Sequence, residues 1–393
     1  MLIIKIIFWL LFAFVLYEYI GYALLLIILV FFKKLFISNK IEGNTNLPDV
    51  TLFVTAYNEK DYIESKVENS FSLNYPANKL HFLWVTDGSD DGTPELLSKY
   101  KEIEVLHNTE RAGKINAMNR GMKYVKTPIV IFCDANTLLS KDSVIEIVNA
   151  FKNPKVGCVA GEKKIVNKDS DTAAGSGEGI YWKYESLLKK LDSELHTTVG
   201  AAGELFAIRT ELFNDVEPDT LLDDFILSMR IAINGYKIKY VPKAYATEKS
   251  SANINEELKR KIRIAAGAVQ SFFRLTTALN PFHDILLAFQ FFSHKVLRWL
   301  ITPFILPFVL LLNVHIVVFS NNSNIIYFVI LLLQIIFYML AFVGWAIRNS
   351  KIRLKLVFVP YYIFMMNYAS WLGLFRYLSG KQSVNWERAK RAM

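Results

Sequence analysis

The chain is poor in the residues that build stapled or metal-clamped folds. Only two of its 393 residues are cysteine, Cys133 and Cys158. Both fall inside apolar stretches, and their spacing fits neither a disulfide framework nor a zinc site. The six histidines are scattered; His196, His283 and His294 sit among aromatic or basic residues, where packing accounts for them better than catalysis does. No Gly-rich loop closes on a Lys followed by Ser or Thr, which excludes a Walker loop. No internal repeat is present.

Apolar residues are abundant. At 53% hydrophobic, with a mean hydropathy of +0.26, the chain is too apolar for an ordinary soluble protein. The excess lies at the two ends. From Ile6 to Phe32 the only charge is Glu18, and Lys33 and Lys34 close the span, which predicts a retained membrane helix over residues 1–34. Glu18 is costly there unless it pairs with another helix. After a polar linker, 35–48, comes a domain over 49–280, then membrane segments over 281–380 and a basic tail, 381–393. The net charge of +9 is largely juxtamembrane (Lys33, Lys34, Arg348, Lys351, Arg353, and Lys381 to Arg391), which favours anionic lipid over nucleic acid as a partner. Spans are expected near Leu300 to Phe319, Ile325 to Ile347 and Leu356 to Leu378. A full third span would carry the basic tail outside, against the positive-inside rule, so one segment must behave differently. Phe282 to Arg298 reads as interfacial, and the last segment, with Asn367 and Arg376, as re-entrant or surface-lying.

Between the ends the pattern repeats strand, turn, helix: VTLFVTAY, HFLWVTD, IEVLHN and IVIFCDA, each followed by a helical stretch. That predicts an α/β layer on a parallel sheet with right-handed crossovers. A polar, Gly-rich piece, AAGSGEGIYWKYE, reads as a loop over a site, leading into a helix-like stretch from Ile180 to Leu191. ELFAIR and KIKYVPKAYA read as further strands, and Glu256 to Arg274 as a basic helix.

The organising stretch is Ile129 to Thr137, IVIFCDANT. A short β-branched and aromatic run stops at Asp134 and Asn136, which side-chain alternation points the same way. Their oxygens suit one hard divalent ion, Mg²⁺ or Mn²⁺, shared with a diphosphate; a strand closed by an Asx turn explains the same residues. Thr55, Tyr57 and Glu59 end the first strand, and Asp87 with its Gly-rich sequel ends the second. An Asp at such an edge can accept from a nucleobase imide or a ribose hydroxyl. Arg111 and Lys114 flank a Gly at a strand-to-helix turn, the setting for a diphosphate or for a solvated basic turn.

The order TAYNE, TDGSDDGT, RAGKINAMNRG, FCDANT, GELFAIR, LLDDFIL resembles family 2 glycosyltransferases, over roughly Pro48 to Gln270. The resemblance implies a GT-A fold, a mostly parallel sheet flanked by helices, and inverting transfer from a nucleotide sugar, usually UDP-linked. It implies that Asp87 holds the nucleoside, that Arg111 and Lys114 line its pocket, and that Asp134 and Asn136 stand at the metal motif. Asp224 falls at the catalytic base. Asp223 either raises the proton affinity of the pair or caps the helix from Phe225. Gly203 and Glu204 are candidate acceptor contacts, although strand packing explains the glycines equally well.

Two departures stand out. Asn136 replaces an acid of the metal motif, and the QxxRW motif of processive members reads Arg260, Lys261, Ile262, Arg263, Ile264. Arg263 remains able to meet a diphosphate, while the stacking Trp is missing; a basic helix face on lipid headgroups is the competing reading. The expected protein is therefore a multi-pass enzyme of the cytoplasmic membrane with a cytosolic catalytic domain, acting on a lipid-linked or glycan acceptor, with membrane proteins of a glycan-assembly system as possible partners. A processive synthase is the alternative within the class. From another class comes a noncatalytic nucleotide-sugar-binding scaffold, which Asn136 allows and the trio Asp87, Asp134 and Asp224 opposes.

Overall fold

A computed structural model describes residues 1–36, 46–166, 173–249, 251, 253–320, 324–348, 355–381, 383 and 384. Most of the expected linker, the basic loop after Arg348 and the basic tail lie outside the described residues. Helix α1 (Leu2–Leu16) passes through a π-helical turn, Tyr17–Gly21, into α2 (Tyr22–Phe36). The α/β layer follows: β1 (Val50–Ala56), α3 (Lys60–Phe71), β2 (Leu80–Asp87), α4 (Thr93–Leu97), β3 (Ile103–Asn108), α5 (Lys114–Met122), β4 (Ile129–Asp134), β5 (Leu138–Leu139) and α6 (Ser143–Phe151). Then come β6 (Val156–Val166), α7 (Ala173–Leu195), β7 (Leu205–Arg209), α8 (Asp223–Ile233), β8 (Lys237–Lys249) and α9 (Ile254–Arg274). Finally α10 (Ile285–Phe291) runs through a π-helical stretch, Phe292–Ile301, into α11 (Thr302–Phe319), followed by α12 (Ile325–Ala346) and α13 (Lys355–Leu378).

The strands form one sheet in the order β3-β2-β1-β4-β7-β6-β8-β5. β3, β2, β1 and β4 are mutually parallel, as expected. β7 then runs antiparallel to both β4 and β6, so the sheet is mixed and mostly parallel. Alternation along the strands fills both faces: Phe53, Val85, Val130 and Phe132 join one core, and Leu52, Val54, Trp84 and Ile131 the other. Burial on two sides is why these strands read as nearly continuous apolar runs. The carboxyl ends of β1, β2 and β4 open at one edge, where parallel sheets bind ligands.

Three expectations need correction. The Gly-rich piece is not a loop: α7 is helical from Ala173, packed against α2 and α13. Asp223 does not cap α8 but is its first residue, after Leu222. Ile285–Phe319 forms one 35-residue candidate span, which takes in most of the stretch expected to be interfacial. Its polar members Gln290, Ser293, His294 and Lys295 are buried in protein contacts. Lys33, read as a lipid contact, donates instead to the terminal carbonyls of Glu194 (2.9 Å) and Leu195 (2.8 Å), capping α7, and Lys34 pairs with Glu194.

Among the described residues the candidate spans number three: Leu2–Phe36, Ile285–Phe319 and Ile325–Ala346. α13 is not one of them. It packs along α9, α12 and α7. Glu18 does find a partner on another helix: Arg298 Nε donates to its Oε1 at 2.6 Å.

Candidate active site

A cleft of about 340 Å³ opens at the carboxyl edge of the sheet. Its nucleotide-side wall comes from strand ends. Thr55, Tyr57 and Glu59 line it after β1, and Asp87 ends β2. Asp87 is 5% exposed. Its carboxylate accepts from the backbone N–H groups of Ala112 (3.1 Å) and Gly113 (2.7 Å), which fixes the loop that delivers Arg111 and Lys114. The Arg111 guanidinium lies 3.7 Å from the Tyr57 ring centroid, a stacking that flattens one cation against the cleft mouth.

Lys114, at the start of α5, sits at the centre of the acids. Its Nζ donates to Asp134 Oδ1 at 2.7 Å and lies 3.8 Å from Asp223 Oδ2. Burial works against its charge, yet Asp134 and Asp223 outweigh burial and hold the ammonium well above the usual lysine range. Burial also lifts the Asp134 carboxyl above its ordinary value, with Lys114 pulling it back. Asn136 lines the cleft two residues on. Among the described residues no cluster of three His, Cys, Asp or Glu side chains forms a metal site.

The opposite wall is the start of α8, held in place by α9. Gln270 accepts from Leu221 N–H (2.9 Å) and donates to the Asp219 carbonyl (2.8 Å), pinning the approach to Asp223. Ser228 ties α8 to the 200–203 loop: it donates to the Asp224 carbonyl (2.7 Å) and accepts from Ala201 N–H (2.9 Å). Burial, reinforced by the neighbouring Asp223 charge, pushes the Asp224 carboxyl up to about 7, against the pull of Lys114. Asp223 Oδ2 is buried without a hydrogen-bond partner. Gly203 is small for a reason: a Cβ there stands 3.2 Å from both Asp224 Oδ2 and Lys114 Nζ.

Glu204 is tied to Lys163, which also meets Glu248 at 2.6 Å. Despite burial, Lys163 holds the Glu204 carboxyl far below the usual range, so this acid stays ionised. Arg260, Lys261 and Arg263 of α9 face the cleft. The first two are buried beside Glu257 and are no lipid-facing surface. Every residue the sequence offered for catalysis, donor, acceptor or metal binding therefore lines this one cleft.

The sequence reading missed a second group. Trp182, Glu185 and Lys189 of α7, and Lys295 and Trp299 of the π-helical stretch, line the far end. Their signal was present: residues 182, 185 and 189 fall at i, i+3 and i+7, one face of a helix.

A parallel half-sheet interrupted by an antiparallel strand, with carboxylates at its edge and a lysine between them, is a strand-edge site of the kind where α/β sheets hold ligands. The chain belongs to the glycosyltransferase-like family 2, whose family model matches residues 48–267. Curated relatives include the poly-β-1,6-N-acetyl-D-glucosamine synthases of Staphylococcus aureus (strain MSSA476), 31% identical over 240 residues, and of Staphylococcus epidermidis, 26% identical over 235. These alignments cover 58% and 57% of this chain and 56% of each relative. The chain thus spans just over half the length of the relatives it matches. Among solved structures, the mannosyltransferase PcManGT from Pyrobaculum calidifontis, determined with GDP-Man and Mn²⁺, shares the fold with a TM-score of 0.65 at 23% identity, over 95% of this chain and 100% of that one.

Proposed function

We propose that the protein is an inverting glycosyltransferase that moves a sugar from a nucleoside diphosphate sugar, UDP-linked in the first instance, onto a lipid-linked or glycan acceptor at the cytoplasmic face of the cell membrane. The observation that carries this reading is Asp224: a cleft carboxylate poised near neutrality, beside Gly203 and across from Lys114. It takes the proton of the acceptor hydroxyl as that oxygen bonds to the anomeric carbon. The anomeric carbon–phosphate oxygen bond breaks at the same time, and the electron pair leaves with the nucleoside diphosphate. Arg111, Lys114 and Arg263 place positive charge where that leaving group gathers negative charge. Asp87 orients the loop carrying two of them and offers its edge to the nucleoside.

Asp134 and Asn136 fit a hard divalent ion. Both donors are oxygens, both line the cleft, and diphosphate oxygens and water complete such a shell. Mg²⁺ or Mn²⁺ held by them would supply Lewis-acid relief to the diphosphate. A count of three spans, with α13 at the surface, supports a cytosolic catalytic domain: the domain and Arg348 then share a side, the one the positive-inside rule favours.

A second reading is favoured by the relatives, which are polysaccharide synthases by name: repeated addition to a growing polymer. Ile264, in place of an aromatic platform, weighs towards single transfer. Because those relatives are named for an N-acetylglucosamine polymer, an N-acetylhexosamine donor is the first to test.

The experiment is release of nucleoside diphosphate from a panel of sugar nucleotides in membranes bearing wild type or Asp224→Asn. One donor should turn over, stop when metal is chelated, and slow by about 10²–10⁴-fold in the variant. Equal turnover by the variant defeats the assignment of the base. Product length separates single from repeated transfer.

A further inference from the structure

The end of the cleft away from the strand edges is built from Trp182 and Lys189 of α7, Lys261 of α9, Trp299, and Met366 and Ala369 of α13. Three ammonium groups surround the Trp182 ring: Lys163 at 5.2 Å, Lys189 at 5.8 Å and Lys261 at 5.8 Å from its centroid. Two of them have carboxylates at hand. Lys163 is taken up by Glu204 and Glu248, and Lys261 lies 3.6 Å from Glu257.

Lys189 differs. It is only 6% exposed, yet among the described residues no carboxylate or other acceptor stands within bonding distance of its ammonium. The nearby acids are committed elsewhere: Glu162 accepts from Ser186 Oγ, and Glu185 is held by Lys295 and Arg298. Glu162 lies within electrostatic reach but makes no ion pair with it, and a buried lysine so weakly countered is tolerated where an anion arrives. The aromatic ring beside it offers a face for a sugar, and Met366 and Ala369 of α13 add apolar lining.

We propose that Trp182, Lys189 and Lys261 form an acceptor subsite for a saccharide linked to phosphate, the sugar lying on Trp182 and the phosphate meeting Lys189. The proposal rests on the glycosyl-transfer reading and adds the class of acceptor to it. The phosphate is either lipid-borne or that of a soluble sugar phosphate.

The test is calorimetric binding to the full chain in detergent, which needs no turnover. Probes are farnesyl phosphate, N-acetylglucosamine 1-phosphate and UDP; proteins are wild type, Lys189→Gln, Lys189→Arg and the exposed-site control Lys190→Gln. Expected is saturable binding of a phosphate probe to wild type, weakened about tenfold or more in Lys189→Gln. Binding is retained in Lys189→Arg and in the control, with UDP affinity unchanged throughout. Preference for farnesyl phosphate assigns a lipid-borne phosphate, and preference for the sugar phosphate a soluble one; either supports the subsite. Wild type binding neither probe overturns it, as does Lys189→Gln losing UDP instead, which makes Lys189 a donor residue. Failure of glycosyl transfer itself is read separately, from the Asp224→Asn comparison.

Discussion

At Asp224 opposing fields meet. Burial and the Asp223 carboxylate favour the protonated acid, and the Lys114 ammonium favours the anion; the balance falls at about 7. A base works only when ionised, so kcat/KM for transfer should rise with pH and level off above about 7. Asp223→Asn removes the neighbouring negative charge, the largest influence after burial, and should move this limb to lower pH. A pH–rate profile of the two proteins checks it; an unmoved limb means that another group sets the pH dependence. These residues were legible because each motif is local: a strand end, a glycine and a charged side chain within a few positions report an edge of the sheet without any knowledge of the fold. What Asp223 does was less legible. A carboxylate before a helix and one in its first turn both suit the partial positive charge there, and only the backbone separates them.

At the scale of elements, the parallel half of the sheet followed from its apolar runs, whereas β7, antiparallel between β4 and β6, carries no signal of its direction. α7 was hidden for another reason. Its first turns carry Gly175, Ser176, Gly177 and Gly179, so local propensity argues against a helix there, and packing of α7 against α2 and α13 overrides it. α9 and α13 make one wall of the cleft by close approach. A Cβ on Gly373 comes within 2.5 Å of Ala265 Cβ and 2.8 Å of the Ala266 backbone nitrogen. Gly373→Val should therefore push the two helices apart, at about 1–3 kcal/mol. Because α9 also carries Gln270, which holds the approach to Asp223, the variant should lose transfer as well as thermal stability in detergent. Normal activity with an unchanged melting temperature would show that this contact is dispensable.

At the scale of the molecule, two candidate spans are 35 residues long, roughly 50 Å as helices against a hydrocarbon core of about 30 Å. The surplus is where the polar residues of the π-helical stretch meet α7. Cys133 and Cys158 are buried, so single introduced cysteines report sidedness. In intact cells, cysteine at Ser320 should react with a membrane-impermeant maleimide, and cysteine at Lys190 or Ser379 only after permeabilisation. Labelling of position 379 from outside would make α13 a true span.

The Glu18–Arg298 pair joins residues 280 apart in the chain. During synthesis the first helix enters the lipid with an acid whose counter-charge has not yet been made. That acid must borrow a partner or linger near the headgroups until just over three quarters of the chain has been made. Closure of the cleft's far wall, where Arg298 also meets Glu185, is thereby deferred to the insertion of the second span. The enzyme becomes complete only once it is already in the membrane.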